Sequence, residues 1–384
     1  MDRQHWIVTN REVVEVEDEG RRVERVTPDH RREALPTFRI ATVGHAALTG
    51  AKNASDIERA VTFIPDQFVE ESDYAEIDEH ADPTELAASR RLFLSLYQRM
   101  CEAPKEKGDT LFFIHGFDYD WPAALTHLRK LHDRYVEPEE SPVDQIVYFT
   151  WPSHGSQRRY KKDQEIAQPS GMLLGRFFAK TLKFYEAFFG RPDHPEFCDK
   201  RIHLCAHSMG NQVLQEFMRA IYEYEFLRRP ILGETLLLHA DADWTALEPD
   251  KPMYCLHEYA ERIHVYNNMS DDALGISERT KNREKRLGRH GPRDLRKIPP
   301  RTIVVDTTDL PARNADELDD EFFTAARRIL GADWVPTRER VIDHWGYLHR
   351  PEVVADIYRV LRGKSSSEFK NREHKGGPLY KLRP

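Results

Sequence analysis

Short apolar runs alternate with helical segments from about residue 110 onward. Six runs are rich in Leu, Ile, Val and Phe, and helical periodicity lies between and after them. The runs are TLFFIHGF (110–117), QIVYFTW (145–151), RIHLCAH (201–207), TLLLHAD (235–241), RIHVYNN (262–268) and RTIVVDTT (301–308). The helical segments are 172–189, 211–227, 320–330 and 351–362. Continuous apolar strands alternating with helices are typical of a mostly parallel sheet covered by helices on both faces. We therefore predict an α/β fold.

The first part of the chain has a different pattern. Trp6-Ile7-Val8, Val13-Val14 and a turn at 17–20 predict a β-hairpin in an N-terminal extension, residues 1–35. Two further strands are predicted at 37–43 and 60–64, and an amphipathic helix at 84–101.

The far end of the chain is polar, basic and rich in Gly and Ser after Gly363. Such a composition buries too little apolar surface to order a chain, so we predict a disordered tail over 363–384. One folded domain over residues 36–362 then accounts for the remaining chain.

Charge limits the partners of this protein. The 384 residues include 57 Lys plus Arg and 65 Asp plus Glu, a net charge of −8. An acidic protein does not coat nucleic acid with its whole surface, so no nucleic-acid partner is expected. The segment 278–301 is locally basic, and we interpret it as a solvated surface segment.

Features that the sequence lacks exclude further classes of protein. It has no run of about 18 apolar residues, so no membrane-spanning helix is predicted. The N-terminus MDRQHWIV has no secretory apolar stretch, which favours a cytoplasmic protein. The cysteines show no CxxC pair and no His at zinc spacing, so we expect reduced thiols and neither metal nor organic cofactor. They are Cys101, Cys198, Cys205 and Cys255.

Ser208 carries the sharpest chemical signal. It lies in Ala206-His207-Ser208-Met209-Gly210, directly after an apolar run and directly before a helical segment. A serine on such a tight strand-to-helix turn is a nucleophile elbow, where small flanking residues such as Gly210 relieve crowding. The turn directs the N–H of Met209 toward a developing oxyanion.

A second signal is His115-Gly116-Phe117, at the end of the run LFFI. In this architecture the loop after that strand supplies the other oxyanion N–H, which we assign to Phe117. Gly116 lets the backbone approach the substrate, and His115 supports the loop. Candidates for lining an acyl pocket are Trp151, Tyr119, Trp121 and Tyr160.

A serine hydroxyl needs a general base, and the base needs an orienting carboxylate. The expected chain order is Ser, acid, His. The run RIHVYNN leads to Asp271 and Asp272, either of which satisfies the order, and Asp241 and Asp243 follow the preceding strand as rivals. For the base, His344 lies in a loop just before the final helix. His349 lies closer to that helix and is the alternative.

These residues resemble a bacterial α/β-hydrolase family of undefined function within the esterase/lipase-like superfamily. The resemblance rests on motifs through most of the chain. They include WIVTNRE (6–12), FFIHGFDYDWPAA (112–124), YFTWPSHG (148–155), HLCAHSMGNQVL (203–214), SDDALGIS (270–277), Arg286-Leu287-Gly288, VVDTTD (304–309) and HWGYLHRPEVVADI (344–357). The D-x-A-L motif implies that Asp271 is the acid, and the H-x-x-Y motif implies that His344 is the base. The doublet Asp271-Asp272 departs from the family pattern.

The resemblance implies a serine hydrolase that acts on small-molecule carboxylic esters or thioesters through an acyl-enzyme. The alternative is a non-catalytic hydrolase scaffold that binds a ligand or a partner, since fold does not imply function. The sequence determines neither the natural substrate nor the oligomeric state.

Overall fold

A large, mostly parallel sheet organises the chain. The computed structural model describes residues 3–18, 20–27, 35–65, 78, 80–86, 88–153, 160–189, 198–223, 230–278, 282–311 and 344–384, and of residues 180–189 the backbone alone. The predicted helix at 320–330 lies outside the described residues. The strands, in chain order, are β1 Gln4–Thr9, β2 Val13–Asp18, β3 Arg21–Val26, β4 Arg39–Gly44, β5 Thr62–Phe63, β6 Asp109–Ile114, β7 Val143–Thr150, β8 Ile202–His207, β9 Leu232–Leu238, β10 Ala260–Asn267, β11 Thr302–Asp306, β12 Arg372–Gly376 and β13 Leu379–Leu382.

Helices connect and cover these strands. They are α1 His45–Gly50, α2 Ala54–Ala60, α3 Ala88–Glu102, α4 Trp121–Tyr135, α5 Tyr160–Phe189, α6 Gly210–Glu223, α7 Leu256–Tyr259, α8 Asp272–Ser277, α9 Leu287–His290, α10 Gly346–His349 and α11 Pro351–Leu361. None of the described helices is long and apolar enough to cross a membrane.

The strand order in the sheet is β12-β13-β11-β10-β9-β8-β6-β7-β1-β4-β5. Neighbours from β13 to β1 pair in parallel, while β4 and β5 at one edge and β12 at the other pair antiparallel. The α/β prediction is confirmed, and the parallel strands bring their carboxyl ends to one edge of the sheet.

Strand β7 shows why the sheet is covered on both faces. All eight of its residues are buried. Val147 and Phe149 belong to a core that includes residues of α3, α5 and α6. Ile146 and Tyr148 belong to a second core with residues of α2, α4 and α11. Successive strand side chains point to opposite faces, so a strand buried on both faces becomes a continuous apolar run.

The N-terminus differs from the predicted extension. Trp6, Ile7 and Val8 lie in β1, which is buried within the main sheet between β7 and β4. The hairpin instead consists of β2 and β3, which form a separate two-stranded sheet. The apolar triplet finds a better burial site between two strands than in a solvated hairpin.

The tail also differs from the predicted disorder. Strands β12 and β13 extend the sheet, with Val304 of β11 paired to Leu379. Leu382 is fully buried, and the buried Arg372 guanidinium bonds both carboxylate oxygens of Asp356 at 2.8 and 2.6 Å. A few anchoring contacts order this polar segment, and average composition does not reveal them.

Glu234 shows how the sheet holds a buried charge. Its side chain in β9 accepts hydrogen bonds from Arg262 at 2.5 Å and from His264 at 2.8 Å. Burial would raise the pKa of Glu234, but these partners lower it to about 2. The carboxylate therefore stabilises the fold above its unfolded pKa, and this contribution is lost as pH falls from about 4.3 toward 2.

We predict that Glu234→Gln makes the free energy of unfolding less dependent on pH in the acidic range. The wild type should lose roughly 3 kcal/mol more unfolding free energy than the variant between about pH 5 and 2. The variant should be the less stable of the two at pH 7, because it leaves Arg262 without its ionised partner. Urea unfolding across this pH range measures the difference, and parallel acid limbs would contradict it.

Candidate active site

Ser208 stands on a strained turn at the carboxyl end of β8. Its φ is +51°, in a region that residues other than glycine seldom adopt. Its N–H donates to the Leu238 carbonyl at 3.0 Å, and its carbonyl accepts the N–H of Asp241 at 3.0 Å. The Asn211 amide donates to the Ala206 carbonyl at 2.8 Å, which ties the start of α6 to the end of β8. The surrounding hydrogen bonds thus hold the turn.

Two glycines allow the backbone of the serine turn and the backbone after β6 to pack closely. A Cβ on Gly210 would lie 2.6 Å from the His115 carbonyl oxygen, and a Cβ on Gly116 would lie 2.8 Å from the Cβ of Ser208. Both distances are shorter than real side chains tolerate. The serine turn and the loop after β6 are therefore in direct contact.

His115 stabilises that loop through hydrogen bonds. Its ring Nε2 accepts the backbone N–H of Trp151 at 3.2 Å, so Nδ1 carries the proton and donates to the Gly116 carbonyl at 2.8 Å. The Trp151 indole N–H donates back to the His115 carbonyl at 3.0 Å, and the two rings stack. Burial lowers the pKa of His115, which keeps the ring neutral in this role.

Asp271 and His344 meet as the sequence analysis anticipated. Nδ1 of His344 donates to Oδ2 of Asp271 at 2.7 Å, and both residues are buried. The other carboxylate oxygen accepts the N–H of Leu274 at 3.0 Å and so caps α8. One carboxylate both begins a helix and orients the imidazole.

A second histidine, His239, shares the carboxylate. Its Nδ1 lies 3.1 Å from Oδ2 of Asp271. Burial would raise the pKa of Asp271, but the charges and hydrogen bonds of His344 and His239 outweigh it and hold the pKa well below its usual range. The three side chains are close enough to hold a metal ion, yet both Nδ1 atoms serve as donors to the carboxylate. Sequence reasoning missed His239, although it lies within the run TLLLHAD and directly follows β9.

His207, also missed, links the serine turn to His344. Its Nε2 donates to the backbone carbonyl of His344 at 3.0 Å, and its Nδ1 is buried without a partner among the described residues. Its place beside Ser208 in the elbow was the available signal.

The rival acid Asp241 is engaged by other side chains. Asp241 is buried and bonded to the Tyr160 hydroxyl at 2.5 Å, the Ser277 hydroxyl at 2.9 Å and Nε of Arg286 at 2.7 Å. Its carboxylate is thus fully engaged away from His344.

The remaining alternatives have local roles. Asp243 accepts from the backbone and the hydroxyl of Thr245 at 2.8 and 2.6 Å. Asp272 is the first residue of α8, and His349 is the last residue of α10. The bond between Asp271 and His344 distinguishes that pair from these.

A cavity of about 50 Å³ opens at the proposed nucleophile. Its lining residues are Phe117, Tyr160, His207, Ser208, Asp241, Ala273, Leu274, Ile276, Ser277, His344 and Trp345. Of the four aromatic candidates, Tyr160 lines it. Trp151 stacks on His115, the Trp121 indole N–H donates to Glu58, and the Tyr119 hydroxyl accepts from Trp345.

The Arg286-Leu287-Gly288 motif packs against residues of the candidate site. Arg286 binds Asp241, and Gly288 lies against the backbone of His239 and Ala240, where a Cβ would come within 2.1 Å of the Ala240 nitrogen. Other arginines of the basic segment are paired too, Arg289 with Glu278 and Arg293 with Glu248. Much of its positive charge is therefore neutralised within the fold.

A family model described as "Alpha/beta hydrolase of unknown function (DUF900)" matches residues 97–332. That range holds the loop after β6, Ser208 and Asp271, and it covers more than half of the chain. The chain belongs to this α/β-hydrolase family. His344 lies beyond the matched residues and joins the site through the fold. No curated protein and no solved structure matches the chain. Family membership confirms the predicted fold and leaves the substrate undefined.

We predict that Gly288→Ala destabilises the protein at the candidate site. The added methyl has no room against the His239–Ala240 backbone, and overpacking of this kind typically costs about 1–3 kcal/mol or more. Gly50→Ala is the matched control, because no atom lies within 4 Å of a Cβ built there. Thermal unfolding of both variants provides the measurement. Equal unfolding midpoints for the two variants would show that close packing of Gly288 against the His239–Ala240 backbone contributes little to stability.

Proposed function

We propose that the protein is a serine hydrolase that cleaves carboxylic esters or thioesters through Ser208, His344 and Asp271. The observation that carries this is the 2.7 Å hydrogen bond between Asp271 and His344, with His344 and Ser208 lining one cavity. A buried carboxylate bonded to Nδ1 fixes the imidazole tautomer that leaves Nε2 free to accept a proton.

The chemistry follows from that tautomer. Nε2 of His344 takes the hydroxyl proton as Oγ of Ser208 attacks the acyl carbonyl, and the tetrahedral intermediate collapses when the leaving group takes the same proton. Water then repeats the sequence and releases the acid. Asp271 stays ionised throughout, because its pKa is held low by the two histidines. It stabilises the imidazolium that forms twice in each cycle.

The N–H groups of Phe117 and Met209 are the proposed oxyanion donors. Neither amide has a hydrogen-bond partner among the described residues, whereas the N–H of Ser208 is bonded to Leu238. The close contact between Gly116 and Ser208 supports this assignment. Preorganised donors of this kind typically contribute about 10²–10³ in rate each.

The cavity favours an uncharged acyl group. Its described lining contains no Lys or Arg, and the one carboxylate besides the proposed triad, Asp241, is already bonded to Tyr160, Ser277 and Arg286. Phe117, Leu274 and Ile276 supply apolar surface. A charged substrate would lose hydration here without gaining a free partner.

We predict that a fluorophosphonate probe labels the wild type at Ser208 and does not label Ser208→Ala. Activation of the hydroxyl by His344 makes this serine reactive, whereas ordinary serines are inert. Ser367→Ala, on the exposed loop after α11, is the matched control and should label normally. Intact mass spectrometry reads the adduct. An unlabelled wild type that also fails to hydrolyse p-nitrophenyl esters of short and long acyl chains would favour the non-catalytic scaffold.

Substitutions of two adjacent residues, Asp271 and Asp272, test which carboxylate orients His344 in the proposed triad. Asp271→Asn should lower kcat on a p-nitrophenyl ester by about 10⁴-fold with little change in KM, because the amide cannot hold His344 in the required tautomer. Asp272→Asn should retain wild-type kcat, since its side chain has no part in the proposed triad. Equal losses in both variants would remove Asp271 from the mechanism.

A further inference from the structure

Two cysteines that are far apart in the sequence lie in contact in the fold. Cys101 is the penultimate residue of α3, and Cys198 lies in the segment that leads into β8. The Cys101 thiol donates a hydrogen bond to Sγ of Cys198. Both residues are reduced in the structure. The fold therefore brings together two thiols whose sulfur atoms are neighbours.

Lys200 fixes the segment before β8 against the turn that follows α3. Its ammonium donates to the carbonyls of Pro104 and Lys105 at 2.9 and 2.8 Å. The stem of its side chain packs so closely that a Cβ on Gly108 would lie 3.0 Å from the lysine Cε. The Lys200 side chain is only 8% exposed, so most of its length is buried in this contact.

The beginning of the sheet adds two further contacts between the same parts of the chain. The N–H of Arg201 donates to Oδ1 of Asp109 at 2.9 Å, and the Arg201 carbonyl accepts the N–H of Thr110 at 2.9 Å. From this point β8 pairs in parallel with β6. The contacts that hold the two segments together do not involve the thiols, so they persist when the thiols react.

The two thiols differ in their access to solvent. Cys101 is exposed, whereas Cys198 is buried, and its Sγ accepts the backbone N–H of Lys200 as well as the Cys101 thiol. A molecule from solution therefore reaches Cys101 first. An exposed thiol beside a shielded second thiol is an arrangement that suits thiol–disulfide exchange, because the second thiol displaces whatever the first one has bound.

We propose that Cys101 and Cys198 are a redox modification site, which a low-molecular-weight disulfide such as oxidised glutathione converts into an intramolecular disulfide. The Cys101 thiolate attacks one sulfur of the oxidant, forms a mixed disulfide and releases one glutathione thiolate. Cys198 then gives its proton to water, and its sulfur attacks Sγ of Cys101 and releases the second glutathione thiolate. Each released thiolate takes up a proton. Two protein thiols and one oxidised glutathione thus become one protein disulfide and two glutathione thiols.

Closure of the bond requires a short movement. Two hydrogen-bonded sulfur atoms have to approach to about 2 Å, the length of a disulfide bond. Because Cys101 lies at the exposed end of α3, rotation about its Cα–Cβ bond supplies this approach. No CxxC spacing joins the two positions, which is why the sequence analysis expected only reduced thiols.

The cysteine pair is separate from the proposed catalytic groups. Cys198 precedes the first residue of β8, whereas Ser208 follows its last residue. No member of the proposed triad takes part in the exchange, so Ser208→Ala should oxidise as the wild type does. The outcome therefore does not depend on the proposed hydrolase function.

Thiol counting after treatment of the reduced full chain with oxidised glutathione tests the proposal. The wild type should lose two of its four thiols, counted in denaturant, together with the mass of two hydrogen atoms. It should retain no glutathione, and dithiothreitol should restore all four thiols. Peptide mapping without reduction should recover the fragments that contain Cys101 and Cys198 as one linked species. The yield should not depend on protein concentration, because the bond forms within one chain.

Three serine variants assign the roles of the cysteines. Cys198→Ser should retain one glutathione on Cys101, because no neighbouring thiol is left to displace it. Cys101→Ser should form no disulfide and should keep its remaining three thiols. Cys255→Ser is the matched control, since Cys255 lies directly before α7 and outside the proposed pair, and it should form the disulfide like the wild type.

Circular dichroism verifies that each variant is folded before oxidation. The proposal is overturned if the wild type keeps all four thiols in an excess of oxidised glutathione, or if it retains glutathione instead of forming the bond. It is also overturned if the mapped disulfide joins other cysteines or two chains, or if Cys198→Ser releases its glutathione as the wild type does.

Discussion

The buried carboxylate of Asp271 is the constraint on which the site depends. An ionised carboxylate without exposure to water is tolerated only if hydrogen bonds replace its hydration. Here the Leu274 amide, His344 and His239 supply them. The carboxylate therefore joins α8, the end of β9 and the segment before α10 into one arrangement. Loss of any donor leaves charge uncompensated, so the requirement to satisfy Asp271 also positions His344.

Close backbone packing is the second condition. The loop after β6, the serine turn and the 287–288 segment each pack against neighbouring atoms at distances that only glycine permits, at Gly116, Gly210 and Gly288. Each contact fixes a neighbour of the proposed catalytic groups. His115 and His207 then add hydrogen bonds that hold the loop and the His344 carbonyl. The proposed reaction requires preorganisation of this kind, because the donors must be in place before charge develops.

The two histidine groups at opposite edges of the sheet use the same residue type differently. At the carboxyl edge, a single buried carboxylate receives two ring N–H groups, and every proton has an acceptor. At the other edge, the His132 ring bonds Asp133 at 3.1 Å and Nδ1 of His45 at 2.9 Å. The first group therefore shares one buried carboxylate between two rings, whereas the second group joins two rings directly to each other.

The sequence by itself determined the α/β class, and it predicted the tight turn at Ser208, the loop at Phe117 and Asp271 and His344 as partners. These are local signals: apolar periodicity, small residues at a tight turn, and positions at strand ends. Tertiary structure decided what depends on contacts between distant segments. It placed β1 inside the sheet, ordered the tail through Arg372 and Leu382, brought His239 to Asp271, engaged Asp241 with Arg286, and gathered His5, His45 and His132. Periodicity reports which face of an element is buried, but the partner that covers that face is fixed only when the whole chain packs.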